Sequence, residues 1–288
     1  MSNEKACRKC RMIFLLEELD AEKLCPDCAI KLLTVESIKD FQVCELYYKY
    51  KYRDQIEVPI YSRELMVEKF HNTLKRVASF FFYKKQAESV PSYNAILNRW
   101  EKLWFPKNMT AYDMAVEQHE ISRNNMASYS NVAAASLERF HQDFSVDEAD
   151  PIMIDQAYTI TLDDQSRLIG NIDLVLRHKD RYRVLKWVGS RKKDALSLDL
   201  AAMKFAFEYR HDVVPGNVEY VCYNITSANS PYVDVPQPTA ADVNALLYWA
   251  QEAVSADTFV PRRGFTAYCK NCPFDQPCSK FDEWPDQK

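Results

Sequence analysis

Glycine is scarce in this chain: four residues in 288, at Gly170, Gly189, Gly216 and Gly264. Neither a G-x-G-x-x-G fingerprint nor a P-loop can be assembled from them, which excludes enzymes that cradle phosphates on glycine-rich backbone. The sequence also lacks any run of about eighteen apolar residues, so no membrane span is expected. Excess positive charge is missing too. The net charge is −4 and the pI near 5.8, which gives no global signature of a nucleic-acid binder. Local basic clusters nevertheless occur at 179–183 and 191–193. The opening MSNEKACRKC is polar and cysteine-bearing rather than a secretory signal, so a cytoplasmic protein is expected.

Apolar residues make up 47% of the chain and aromatic residues 13%, enough for a substantial core. Nine cysteines without an export signal point to metal rather than to disulfides. Fourteen residues separate the knuckle of Cys7 and Cys10 (CRKC) from that of Cys25 and Cys28 (CPDC). Two such knuckles can hold one Zn²⁺ tetrahedrally at about 2.3 Å per bond, and so short a segment cannot fold on hydrophobic burial alone. Residues 1–33 are therefore read as a zinc ribbon. Near the C-terminus, Cys269, Cys272 and Cys278 supply three thiolates, which need a fourth ligand for a Zn²⁺ or cubane iron–sulfur site. Cys44 could provide it and would tie the two ends of the domain together. Cys222, within an apolar strand, reads as packing.

Periodicity predicts a helix over 34–53, with Ser37 and Asp40 as its capping pair and Cys44 in its middle. Further helices are expected over 62–85, 92–105 and 109–143, the last starting near Thr110 and Asp113. Strands follow at 152–162, 167–177 and 181–188, then a helix over 195–209, strands at 218–226 and 232–235, and a helix over 239–256. One acid stands out on this frame. Asp173 lies between Ile172 and Leu174 on an apolar strand, where an isolated carboxylate is costly and must be solvated, paired or bound to a cation. His71, taken alone, is more often a core or surface residue than a ligand.

Together, the split cysteine set (FQVCELYYKY and YCKNCPFDQPC), the strand GNIDLVL and the helix EKFHNTL resemble the PD-(D/E)XK nuclease superfamily. The likeness is to its RecB-like iron–sulfur branch, which includes CRISPR adaptation exonucleases, AddB-type nuclease domains and related phage exonucleases. It covers residues 34–281. It implies an α/β, restriction-endonuclease-like core with a mixed central sheet flanked by helices and a helical insertion over 85–150. It also implies a [4Fe–4S] cluster, or Zn, on Cys44, Cys269, Cys272 and Cys278, with 265–281 as the cluster-binding segment. Asp173 and His71 match the family's ligands for Mg²⁺ or Mn²⁺, although the small residue usual three places before the His is Glu68 here. On the following strand the family carries Asp/Glu-x-Lys. This chain reads RVLKWVGS, with Lys186 in the acid's place and Val188 in the lysine's. Asp199 stands where members often carry Gln.

Three functions follow from these residues. One is a DNA-binding, non-cleaving clamp or scaffold in recombination, replication or phage DNA metabolism, meeting single strands or duplex ends. Its phosphate contacts would come from Lys179, Arg181, Arg183, Lys186, Arg191, Lys192 and Lys193, and Trp187 would stack on bases. The second is an active metal-dependent exonuclease in which Lys186 is a relocated catalytic ammonium and Asp155 replaces the lost acid. The third is an interaction scaffold that docks through its zinc ribbon on a partner in a recombination or replication complex.

Overall fold

A computed structural model describes residues 4–6, 13–15, 31–56, 62–105, 123–163, 166–189, 196–211, 213–261, 269, 272–274 and 277–278. Cys7, Cys10, Cys25 and Cys28 lie outside the described residues, as do Arg191, Lys192, Lys193 and the expected helix start at Thr110 and Asp113. The elements in order are β1 (Glu4–Ala6), β2 (Ile13–Leu15), β3 (Lys31–Leu33), α1 (Val35–Val43), α2 (Glu45–Tyr48) and a π-helical turn (Lys49–Arg53). Then come α3 (Ser62–Ala87), α4 (Tyr93–Trp104), α5 (Arg123–Ser145), β4 (Asp150–Asp163), β5 (Ser166–His178) and β6 (Arg181–Val188). The remainder is α6 (Ser197–Arg210), β7 (Val218–Asn224), β8 (Tyr232–Val233) and α7 (Ala240–Ser255). This is a mixed α/β fold, with a mixed sheet of six strands among the described residues.

The chain divides into two compact units, the first comprising Met1–Glu57, Tyr158–Gly170 and Ala241–Lys288. Within it β3 runs parallel to the start of β5, from Lys31↔Ser166 to Leu33↔Leu168. Thr34 caps α1: its side chain accepts from the Ser37 amide, and Ser37 Oγ in turn accepts from the Thr34 amide. Ser37 is thus the inner member of the box, not the cap. Asp40, the expected capping partner, instead accepts from Lys51 Nζ at 2.8 Å and Tyr52 Oη at 2.7 Å. The helix expected to run unbroken over 34–53 is interrupted at Cys44, whose φ of −160° and ψ of 112° are extended. Gly170 faces Tyr158 so closely that an added Cβ would run into the phenol. Glycine is therefore required for β4 and β5 to carry a tyrosine at this crossing.

The second unit comprises Val58–Ala157 and Asn171–Ala240 and is built on α3. Met66, Phe70, Leu74, Val77, Phe81 and Phe82 recur at helical spacing along it and are buried. Against them pack α4 and α5, with Phe70 edge-on to Trp100 at 5.6 Å and Phe81 edge-on to Phe140 at 5.2 Å. The sheet supplies the other wall. β6 pairs antiparallel with β5 and, after the crossover through α6, parallel with β7, while β8 closes on β7 antiparallel. Trp187 lies in this core at 2% exposure, against Phe82, Phe144 and Tyr223. It is therefore not a stacking platform for bases: the aromatic belongs to the apolar face of its strand.

Candidate active site

The described β5–β6 ladder runs from His178↔Arg181 to Leu174↔Leu185. One residue further, Asp173 and Lys186 face each other, and there the backbone pattern gives way to a side chain. The Trp187 amide donates to Asp173 Oδ2 at 2.8 Å. Asp173 is 6% exposed, so its charge needs local compensation. Two ammonium groups supply it: Lys75 Nζ stands 3.5 Å from Oδ1 and Lys186 Nζ 3.9 Å from Oδ2. Lys186 also pairs with Asp199 Oδ1 at 3.7 Å, which links α6 to the chain of charges. Burial alone would pull the Lys186 pKa down, but the Asp173 and Asp199 carboxylates hold the group above its ordinary value.

These groups open on a cleft of about 340 Å³. Asn72, Lys75, Arg76 and Ser79 line it from α3, Asn171 and Asp173 from β5, Lys186 and Trp187 from β6, and Asp155 from β4. Asp155 has a positive φ of 50°, an uncommon conformation outside glycine, and its Oδ1 accepts from Asn171 Nδ2 at 2.9 Å. The structure thus brings Asp155, Asp173 and Lys186 onto one cleft. His71 is not on its lining but lies within electrostatic reach of Lys75, Asp173 and Lys186, and the position of a Cβ on Gly189 would be 3.5 Å from its ring.

Burial, reinforced by the Lys75 ammonium, pushes the His71 pKa down to about 4. Its Nε2 is buried and has no hydrogen-bond partner among the described residues. Because an unfolded histidine titrates near 6.5, the unfolded chain takes up the proton between about pH 6.5 and pH 4 while the folded one does not. Stability from this residue is therefore present above pH 6.5 and lost as the pH falls. We expect a loss of about 2–3 kcal/mol over that interval in urea titrations, absent in His71→Leu.

Sequence reasoning picks out Asp173, His71, Lys186 and Asp155 but misses Lys75, Arg76 and Asn171. The signal for Lys75 and Arg76 is helical spacing: they follow Asn72 at three and four residues, on the face opposite the apolar stripe. Asn171 stands two residues before Asp173, on the same face of β5. Among the expected phosphate contacts, Arg183 is engaged otherwise. Its guanidinium pairs with Asp147 at 2.9 Å and Glu219 at 3.4 Å. Lys186 is likewise held between Asp173 and Asp199, whereas Arg181 is exposed at the end of β6.

A divalent cation does not fit this donor set. The orphaned His71 nitrogen would suit one, but Asp173 is already bracketed by two ammonium groups, and the position that should add a carboxylate adds the second of them. Among the described residues, no group of three or more His, Cys, Asp or Glu is placed to hold a metal ion. In the first unit, the Cys272 thiol feels the other three members of the split cysteine set. Burial pushes the Cys272 thiol up, and negative charge at Cys278, Cys44 and Cys269 acts in the same sense. The C-terminal residues reach the α2 region through Tyr50 Oη, which donates to the Pro277 carbonyl at 3.3 Å, and through Phe274, packed on Tyr47 and Tyr50.

No curated protein matches the chain. The family model for the PD-(D/E)XK nuclease superfamily matches residues 32–279, a span that takes in the Asp173 strand, the Lys186 strand and both arms of the split cysteine set. The chain therefore belongs to the PD-(D/E)XK nuclease superfamily.

Proposed function

We propose that the protein is a DNA-binding, RecB-like member of this superfamily whose nuclease site no longer cleaves. It would act as a clamp or scaffold in recombination, replication or phage DNA metabolism. The observation that carries this reading is Lys186. It takes the acid's position on β6 and forms ion pairs with both Asp173 and Asp199. An ammonium there opposes the binding of Mg²⁺ or Mn²⁺ and leaves attacking water without activation. Val188, where the family's lysine belongs, is buried at 5% exposure and contributes no polar group.

The donor chemistry of Cys44, Cys269, Cys272 and Cys278 suits a [4Fe–4S] cluster or Zn²⁺, and the docking of Phe274 and Pro277 on Tyr47 and Tyr50 supports it by bringing the C-terminal segment to the helix that follows Cys44. The extended break at Cys44 supports this too, because it frees the residue from the regular stacking of a helix interior. Bound there, the group would fasten the C-terminal segment to α2. The N-terminal four cysteines are proposed as a separate structural zinc ribbon, available to a protein partner. No helix among the described residues is long and apolar enough to cross a membrane.

A second reading, an exonuclease using His71, Asp173, Asp155 and Lys186, is favoured by one observation: Asp155 lies on the same cleft as Asp173. The two readings part on cleavage. The clamp reading itself is tested by fluorescence anisotropy with single-stranded and duplex DNA on anaerobically purified protein. It expects binding that weakens steeply as salt rises, and salt-independent or absent binding would overturn it.

A further inference from the structure

Resting on the DNA-binding reading, we infer that the cleft is a metal-independent phosphate clamp. In it the side-chain cations of α3 receive a backbone phosphate of a nucleic-acid strand directly, at the place where relatives would interpose a divalent ion. Four observations converge on this. Asn72, Lys75, Arg76 and Ser79 share one face of α3 at successive turns, and all four line the cleft. That face offers an ammonium, a guanidinium, an amide and a hydroxyl, each able to donate to a phosphate oxygen. Asn171 adds a further amide from the opposite wall.

The charge arrangement supplies the second argument. Lys186 is balanced by Asp199 and Asp173 by Lys75, which leaves Arg76 and Asp155 as the remaining charges, while on the lining itself three cations, Lys75, Arg76 and Lys186, face two carboxylates. Asp155, the remaining acid, is held by Asn171 at 2.9 Å. A guanidinium presents a planar fork that matches two phosphate oxygens, and Arg76 is exposed at the cleft mouth where a strand can reach it. Lys75 stands behind it as a point charge, anchored by Asp173 at 3.5 Å.

Third, the anchor is rigid. Asp173 is fixed by the Trp187 amide, and Trp187 is fixed in the aromatic core, so the ammonium of Lys75 is positioned before any ligand arrives. Fourth, size suits the assignment: a cleft of about 340 Å³ admits a phosphate with its adjoining sugar but no packed duplex. The same lysines that make the site unfit for Mg²⁺ make it fit for an anion, because clamps built from Arg and Lys hold phosphoryl oxygens as a metal does.

The test is anisotropy of a short labelled single-stranded oligonucleotide, with and without a 5′-phosphate, in EDTA and in Mg²⁺. The proteins compared are wild type, Arg76→Ala and Lys75→Met, each checked for folding by thermal denaturation. Arg76 is exposed, so its variant folds independently of the buried charges. The inference expects binding in EDTA equal to that in Mg²⁺, weakened roughly tenfold by either substitution. The slope of log affinity against log salt should also fall by about 0.7 for the single contact removed. A preference for the 5′-phosphate would mark a terminal phosphate as the occupant, and equal binding an internal phosphodiester. Binding that requires Mg²⁺, or that survives both substitutions unchanged, overturns the clamp and leaves the DNA-binding reading standing. No binding by the wild type in any condition overturns both.

Discussion

Asp173→Leu is expected to destabilise the protein by about 3–5 kcal/mol, the range for removing one partner of a buried, hydrogen-bonded charge set. Leu keeps the branch at Cγ, although it is the bulkier side chain, and removes both the charge and the hydrogen-bond acceptor. Loss of the carboxylate leaves the Lys75 ammonium without its ion pair and Lys186 with Asp199 alone, and it orphans the buried Trp187 amide that donates at 2.8 Å. Asp173→Asn keeps an acceptor for that amide and should lose roughly half as much. Urea denaturation of the three proteins measures the difference. Equal stability of wild type and Asp173→Leu would mean that the four-membered chain of charges does not hold β5, β6, α3 and α6 together.

Reversing the charge at one position should convert the site. Lys75, Asp173, Lys186 and Asp199 sum to zero formal charge, whereas Lys186→Glu places three carboxylates near one point and lowers the sum by two. That arrangement repels itself in the absence of metal and suits a divalent cation. We expect the variant to melt below the wild type in EDTA and to be raised by roughly 5 °C or more in saturating Mn²⁺, while the wild type is unmoved. Binding at a hundredfold excess over Kd contributes about 2.7 kcal/mol, which in a protein of this size corresponds to a shift of that order. The readout is thermal and does not depend on cleavage. An equal response of both proteins to Mn²⁺ would show that Lys186 does not govern access of a cation to Asp173.

The strands and helices around this site are legible in the sequence because their apolar residues either form strand-length runs bounded by turns or recur at helical spacing. The apolar runs within 166–178 and 181–188, the turn between them and the 3.6-residue recurrence of Met66, Phe70, Leu74 and Phe81 specify β5, β6 and α3 to within two residues. The break at Cys44 is not legible. FQVCELYY contains no proline or glycine to end a helix, and the interruption coincides with docking of distant residues, Pro277 on Tyr50 and Phe274 on Tyr47. The site divides along the same line. A carboxylate on an apolar strand and a lysine in an acid's register can be recognised from their own strands. Lys75 cannot, because a lysine on an amphipathic helix reads as solvated until the fold sets it 3.5 Å from Asp173, ninety-eight residues away in the chain. Trp187 shows the reverse error: an aromatic beside basic residues suggests base stacking, but the alternation of β6 sends it into the core.

The central claim, that the protein holds DNA without cutting it, is tested most directly by incubating end-labelled single- and double-stranded DNA with anaerobically purified protein in Mg²⁺ and then Mn²⁺, beside Asp173→Asn. The account predicts intact substrate in every lane, with the wild type retaining the label in a salt-sensitive complex. Cleavage by the wild type that disappears in the folded Asp173→Asn variant would contradict it and show that the site still works through Asp173.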